Sequence, residues 1–137
     1  VAERLGLRTG PGAELLLSLR LDRAFGPVIS FGLGGVTTEY WGRNLRAGRT
    51  LAIRPANDLA ASPRVAAEMV GGTVAGDFLA GRVRGQDSPL VAPGTAEGVV
   101  QALAELAEAF NPLNHDGPWT LEELEINPLP SPRNRRS

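Results

Sequence analysis

Leucines alternate with other residues from Glu14 to Leu21, so that Leu15, Leu17, Leu19 and Leu21 share one side, the two-residue period of a half-buried strand. Leucine is not a preferred strand residue, and a short helix is the competing expectation. Asp22 to Gly26 reads as a turn, after which Pro27 opens a second run, Val28-Ile29-Ser30-Phe31, of β-branched and aromatic character. The two runs predict a hairpin. Tyr40 to Gly48 reads as a polar loop, and Arg49 to Arg54 as a third short strand stopped by Pro55.

Helical spacing follows in two places. Ser62-Pro63 offers an N-cap and a first-turn proline, and Val65, Ala66 and Met69 give a short helix its apolar face, ending at Gly71-Gly72. Beyond the irregular stretch from Gly81 to Pro93, Val99, Leu103, Leu106 and Phe110 recur at the helical period until Asn111-Pro112. Glu97, Glu105 and Glu108 take other parts of that wheel.

Alternation returns from Glu122 to Leu129, with Leu124 and Ile126 on one side and Glu123, Glu125 and Asn127 on the other. The order β-β-β-α-α-β predicts an α+β fold, an antiparallel or mixed sheet with helices on one face. Val1 to Gly12 reads as a lead-in strand or loop closing in the turn Gly10-Pro11-Gly12. Residues 1–129 form the expected single domain, and 130–137, without periodicity, a disordered tail.

The polar side of the last strand repeats oxygen-bearing side chains about every 7 Å, a spacing that suits a hard divalent cation beside a phosphate. An edge strand with a wetted polar face explains the same alternation. Pro128 ends ladder pairing and holds the chain where ligands would be wanted. Gly32-Leu33-Gly34-Gly35 admits a phosphate cradle or a structural turn. It is not the dinucleotide fingerprint, because Thr37 stands at that motif's last glycine and no βαβ unit follows. Arg43, Arg46, Arg49 and Arg54 fit phosphate binding through forked guanidinium donors, although a surface loop with solvated charges is the commoner explanation. His115 sits in a Pro/Gly loop with no serine or cysteine partner apparent, which reads as a solvated residue.

Composition narrows the field. The 137 residues suffice for one core, and 42% hydrophobic with 21% charged content is that of a globular chain. No apolar run approaches the ~18 residues of a membrane span, and Val-Ala-Glu-Arg does not open a signal peptide. Absence of cysteine removes disulfides, thiol nucleophiles and thiolate metal sites, and is compatible with a cytoplasmic setting. A net charge of −1 argues against nucleic acid as a partner. All 14 basic residues are arginine, so any lysine chemistry must come from outside the chain. The first residue is not methionine, from which a processed or excised piece is expected.

Taken in order, Gly12-Ala13-Glu14-Leu15, Asp22, Phe25-Gly26-Pro27-Val28, Phe31-Gly32-Leu33-Gly34-Gly35, Glu39, Gly81 with Arg84-Gly85, and Glu123-Leu124-Glu125-Ile126-Asn127-Pro128 resemble one family. It is that of the nucleotide-diphosphate-forming acyl-CoA synthetases, typified by ADP-forming acetate–CoA ligase and more distantly by succinyl-CoA synthetase. The resemblance implies the C-terminal lobe of an ATP-grasp domain, whose two α+β lobes close on ATP. It implies that Glu125 and Asn127 bind Mg2+ bridging the nucleotide phosphates, with Glu123 nearby. It further implies that Phe25 to Val28, the glycines Gly32, Gly34 and Gly35, and Glu39 as the candidate catalytic residue shape the cleft, with Arg54 as a candidate cofactor contact.

The cofactors implied are Mg2+ and ATP/ADP. The partners are an upstream lobe and a CoA-binding domain of the same enzyme, with small-molecule substrates. The reaction implied joins an acid to CoA with ATP, giving acyl-CoA, ADP and phosphate through a phosphohistidine relay, for which this chain alone is incomplete. A non-catalytic synthetase-like regulatory or interaction module, such as one fused to a protein acetyltransferase, is the alternative. Three departures stand out. An arginine-rich tail replaces the family's following strand with its metal-completing aspartate, the phosphate-binding lysine has no counterpart, and the arginine before Pro55 is out of the family's register.

Overall fold

The structure, a computed structural model, describes residues 14–35, 38–114 and 116–130, with side chains described throughout except at 38 and 127–130. The expected lead-in through Gly12, His115 and the tail from Ser131 lie outside the described residues. Four strands, β1 (Glu14–Asp22), β2 (Gly26–Leu33), β3 (Leu51–Pro55) and β4 (Glu123–Pro130), form one sheet in the order β3-β2-β1-β4. Every pairing is antiparallel. The helices are α1 (Thr38–Asn44), α2 (Ala56–Ala61), α3 (Pro63–Gly71), α4 (Val74–Leu79) and α5 (Thr95–Ala109). The fold is α+β, as the patterning predicts.

The hairpin between β1 and β2 fixes the register. Asp22 Oδ1 accepts hydrogen bonds from the backbone N–H of Ala24 at 2.8 Å and of Phe25 at 2.9 Å, closing the turn locally. Gly26 then takes φ 75°, the left-handed geometry that a three-residue hairpin loop needs at its exit. In that register Leu15 faces Leu33, Leu17 faces Phe31 and Leu19 faces Ile29, and all six are buried. Leu59, Ala66, Met69, Val70, Leu79, Val100 and Leu103 complete this core from the helices. At roughly 1.5–3 kcal/mol for each large apolar side chain removed from water, that one-sided burial is what holds helices to sheet.

The opposite sheet face carries no helix among the described residues. Leu16, Ser18 and Arg20 of β1, Val28 and Ser30 of β2, Leu51 and Ile53 of β3, and Glu123 and Glu125 of β4 line it, each exposed or half-buried.

Several elements depart from the sequence expectation of two helices. Tyr40 to Asn44, read as loop, belongs to α1, whose last residue donates from Asn44 Nδ2 to the Tyr40 carbonyl at 2.7 Å. The six-residue α2 and α4 are too short to display a helical period. What starts α4 is Thr73, buried, whose hydroxyl accepts from the Gly76 N–H at 3.0 Å and donates to the Val70 carbonyl at 2.8 Å.

Helix α5 lies where expected but turned. Its buried residues are Val100, Leu103, Ala104 and Ala107, while Val99, Leu106 and Phe110 remain 45, 44 and 36% exposed. The helix packs against α2, whose buried residues are Ala56 and Leu59. Finally, Pro130, assigned to the tail, is the last residue of β4.

Candidate functional site

The open face of the sheet brings the chemistry together. Ser30 of β2 pairs with Ser18 of β1, Ser18 pairs with Glu125 of β4, and Ile53 of β3 lies on the far side of Ser30. One row therefore runs from an aliphatic side chain through two hydroxyls to a carboxylate, with neighbouring strands about 4.8 Å apart. One pair along the strands, Arg20 faces Glu123, with Nη2 3.8 Å from Oε1 and both side chains largely in water.

β4 is an edge strand, and its register with β1 shifts between Leu15, paired with Leu129, and Leu17, paired with Ile126. One extra residue of β4 is thus accommodated around Asn127 and Pro128, a bulge that breaks the ladder just after Ile126. Of the three expected metal ligands, Glu123 and Glu125 share the open face, and Glu123 is engaged by Arg20. Glu125 is exposed and forms no ion pair or side-chain hydrogen bond among the described residues. The Asn127 side chain lies outside the described residues.

No cluster of three acidic or histidine side chains able to hold a metal occurs among the described residues. Mg2+ does not need one. It keeps several waters and commonly takes one or two carboxylates, the substrate phosphates supplying the rest, so the hard oxygen donors of this face fit it.

Gly32 and Gly35 in the glycine run have packing explanations. A Cβ on Gly32 would collide with the Thr50 carbonyl oxygen and crowd the Leu51 Cα at 2.9 Å, where β3 crosses close to β2. Gly34 donates its N–H to the Glu14 carbonyl at 3.1 Å, and Gly35, at φ 78°, lies beneath the Glu14 carboxylate. Glu39 opens α1, is 89% exposed in its side chain, and has its Oε2 3.9 Å from Arg43 Nη2. Arg54 pairs across β2 with buried Ile29, which places it on the helix side of the sheet, opposite the face of Glu123 and Glu125. Its Nη1 donates to the Ile53 carbonyl at 3.0 Å.

Arg49, one of the four clustered arginines, is tied down. Its Nη2 donates to Asp77 Oδ2 at 2.6 Å and its Nη1 to the Gly72 carbonyl at 2.7 Å. Arg82 holds the other oxygen of Asp77 from Nη2 at 2.9 Å. Partial burial alone would raise the Asp77 carboxyl, but the hydrogen bonds and charges of Arg49 and Arg82 outweigh it and hold the group below its ordinary value. Nothing in the sequence announces this network, because its members are scattered between positions 49 and 82.

A cavity of about 180 Å3 opens among Val70, Leu79, Pro89, Val91 and Ala96, with Arg82 at its edge. It is smaller than the roughly 300 Å3 and upward of small-molecule sites, and it has no pair of carboxylates. The open sheet face is the better candidate on chemistry. Ser18 and Ser30 on that face are missed by motif reading. The hairpin register, once drawn, aligns them.

Comparison with known proteins bears on the family and the fold. Residues 4–134 match the family described as ATP-grasp domain. Among curated protein sequences, none matches this chain. Among solved structures, the chain resembles the dinucleotide forming acetyl-coenzyme A synthetase 1 of Candidatus Korarchaeum cryptofilum in complex with coenzyme A and Mg-AMPPCP, its phosphohistidine segment pointing towards the nucleotide binding site. Identity is 25% and the TM-score 0.61, over 90% of this chain and 48% of that one. The same synthetase with coenzyme A, acetyl-coenzyme A and a phosphorylated phosphohistidine segment gives 26% identity and a TM-score of 0.57, over 88% and 45% of the two chains. A Pyrococcus horikoshii protein shares the fold at 20% identity and TM-score 0.59, over 88% and 42%. The chain thus spans about half the length of the solved structures it matches.

Proposed function

Because the chain belongs to the ATP-grasp domain family, we propose that it is the lobe of an ADP-forming acyl-CoA ligase whose open sheet face closes over the nucleotide phosphates. The observation that carries this reading is the row ending in Glu125, a carboxylate with no ion pair among the described residues, on a sheet face that no described helix covers. Glu125, with Asn127 two positions on in the chain and Glu123 two before, would hold Mg2+ through oxygen. Bound there, the ion would neutralise charge on the phosphoryl oxygens. The similar synthetase carries coenzyme A, Mg-AMPPCP and a phosphohistidine segment directed at its nucleotide site, which supports a reaction of acid, CoA and ATP to acyl-CoA, ADP and phosphate through that relay.

In this assignment the chain's own groups place rather than attack. The glycine run and Glu39 would border the cleft, while a second lobe and a CoA-binding domain of the larger protein supply what is absent here, including any lysine. Arg54 faces away from this cleft in the sheet register, so no phosphate contact is given to it.

The test is Glu125→Gln in the full-length protein. Acyl-CoA formation from acid, CoA and Mg-ATP should fall on the order of a hundredfold, with an unchanged thermal midpoint. Turnover near that of the parent protein would reject the assignment.

A further inference from the structure

Ser18 and Ser30 occupy the two central strands, side by side, at positions where strands usually carry bulky side chains. Both are half-buried, and neither hydroxyl makes a hydrogen bond among the described residues. Gly32, which follows Ser30 on the same face, adds no side chain, and the other neighbours are large. Leu16 and Arg20 flank Ser18 along β1, Val28 precedes Ser30 on β2, and Ile53 lies across from it on β3. Two small side chains therefore make a shallow polar floor between an aliphatic border and the carboxylate of Glu125.

We infer that the hydroxyls of Ser18 and Ser30 donate to phosphoryl oxygens of the bound nucleotide, forming a subsite next to the one held by Glu125. The inference rests on the nucleotide-binding reading above and extends it to two residues that no motif marks. A hydroxyl suits the task because it donates without adding charge beside a carboxylate. Ser18 stands directly opposite Glu125 and beside Ser30, so a phosphate held next to Glu125 would lie within about one strand spacing of the Ser18 hydroxyl, with Ser30 one strand further. With no hydrogen bond from either hydroxyl among the described residues, their removal is expected to cost the fold little.

The experiment is calorimetric titration of the full-length protein, as Ser18→Ala, Ser30→Ala and the double variant, with Mg-ADP and separately with adenosine. The double variant should bind Mg-ADP about tenfold more weakly, the single variants sharing the loss, while adenosine affinity and thermal midpoint stay put. Parent protein that binds Mg-ADP and a double variant within twofold of it would overturn this subsite alone. An equal loss for adenosine would also overturn it, since the contact would not then be to phosphate. If the parent protein binds no Mg-ADP, both this subsite and the broader functional reading fall.

Discussion

Arg49 and Asp77, 28 positions apart in the chain, meet at 2.6 Å between Nη2 and Oδ2 and join the start of β3 to helix α4. The main chain reinforces the link, with Val74 N–H donating to the Arg49 carbonyl at 2.8 Å and Arg49 Nη1 reaching Gly72. Since β3 is only five residues long and sits at the sheet edge, this clamp does much to hold it in place. Asp77→Ala leaves two guanidinium groups without their carboxylate. We expect a loss of about 1–3 kcal/mol in urea unfolding, against little change for Arg64→Ala, whose partner Glu68 lies one turn away on an exposed helix face.

The same pair sets a pH dependence. The folded-state pKa of Asp77 is lowered below the ordinary value of 3.8, so between the two values the unfolded chain binds more protons than the folded one. Its stabilisation is present in full above the unfolded-state pKa and is lost as pH falls through the folded-state pKa. Thermal midpoints should therefore drop more steeply with acid below about pH 5 in the parent protein than in Asp77→Asn. Parallel acid limbs for the two proteins would show that the carboxylate is not so held.

Two glycines give a paired test of backbone crowding. A methyl on Gly32 meets the Thr50 carbonyl, and β3 must shift to admit it, an overpacking cost of about 1–3 kcal/mol. Gly98, inside α5, has nothing within 4 Å of the point where a methyl would stand, and there alanine gains helix propensity of roughly 0.5–1 kcal/mol. Chemical denaturation should move in opposite directions for Gly32→Ala and Gly98→Ala. A neutral Gly32→Ala would mean that β3 does not approach β2 this closely.

The sequence pattern discloses those elements whose order is local. The leucine alternation of β1, the β-branched run of β2, the Ser62-Pro63 start of α3 and the acidic alternation of β4 each lie within one element, and each appears where expected. What stays hidden depends on partners distant in the chain. The buried side of α5 is chosen by its seat on α2, so Ala104 and Ala107 are buried while the larger Val99 and Leu106 are not. Gly32 reads as part of a ligand loop because the approach of Thr50 is a tertiary fact. Arg54 carries a suitable group, but only the pairing of β3 with β2 shows which side of the sheet it takes. Within the candidate site, Glu123 and Glu125 are visible from alternation, whereas Ser18 and Ser30 acquire meaning only beside Glu125.

Glu123 and Glu125 look alike in sequence and differ in company. Glu123 lies 3.8 Å from Arg20, with 64 and 71% of the two side chains exposed, a pair worth about 0–1 kcal/mol to folding. Its effect on a cation is larger in kind, because the guanidinium cancels part of the negative potential that Mg2+ would meet at that residue. Titrating Mg2+ against nucleotide-dependent turnover of the full-length protein should show Glu125→Gln weakening the apparent affinity severalfold more than Glu123→Gln. Arg20→Ala should strengthen it by a few fold at low salt, an effect that fades by about 1 M salt as the charges are screened. None of the three should shift the thermal midpoint appreciably. A larger metal defect in Glu123→Gln than in Glu125→Gln would relocate the site one pair along the strand and leave the row through Ser18 without its carboxylate.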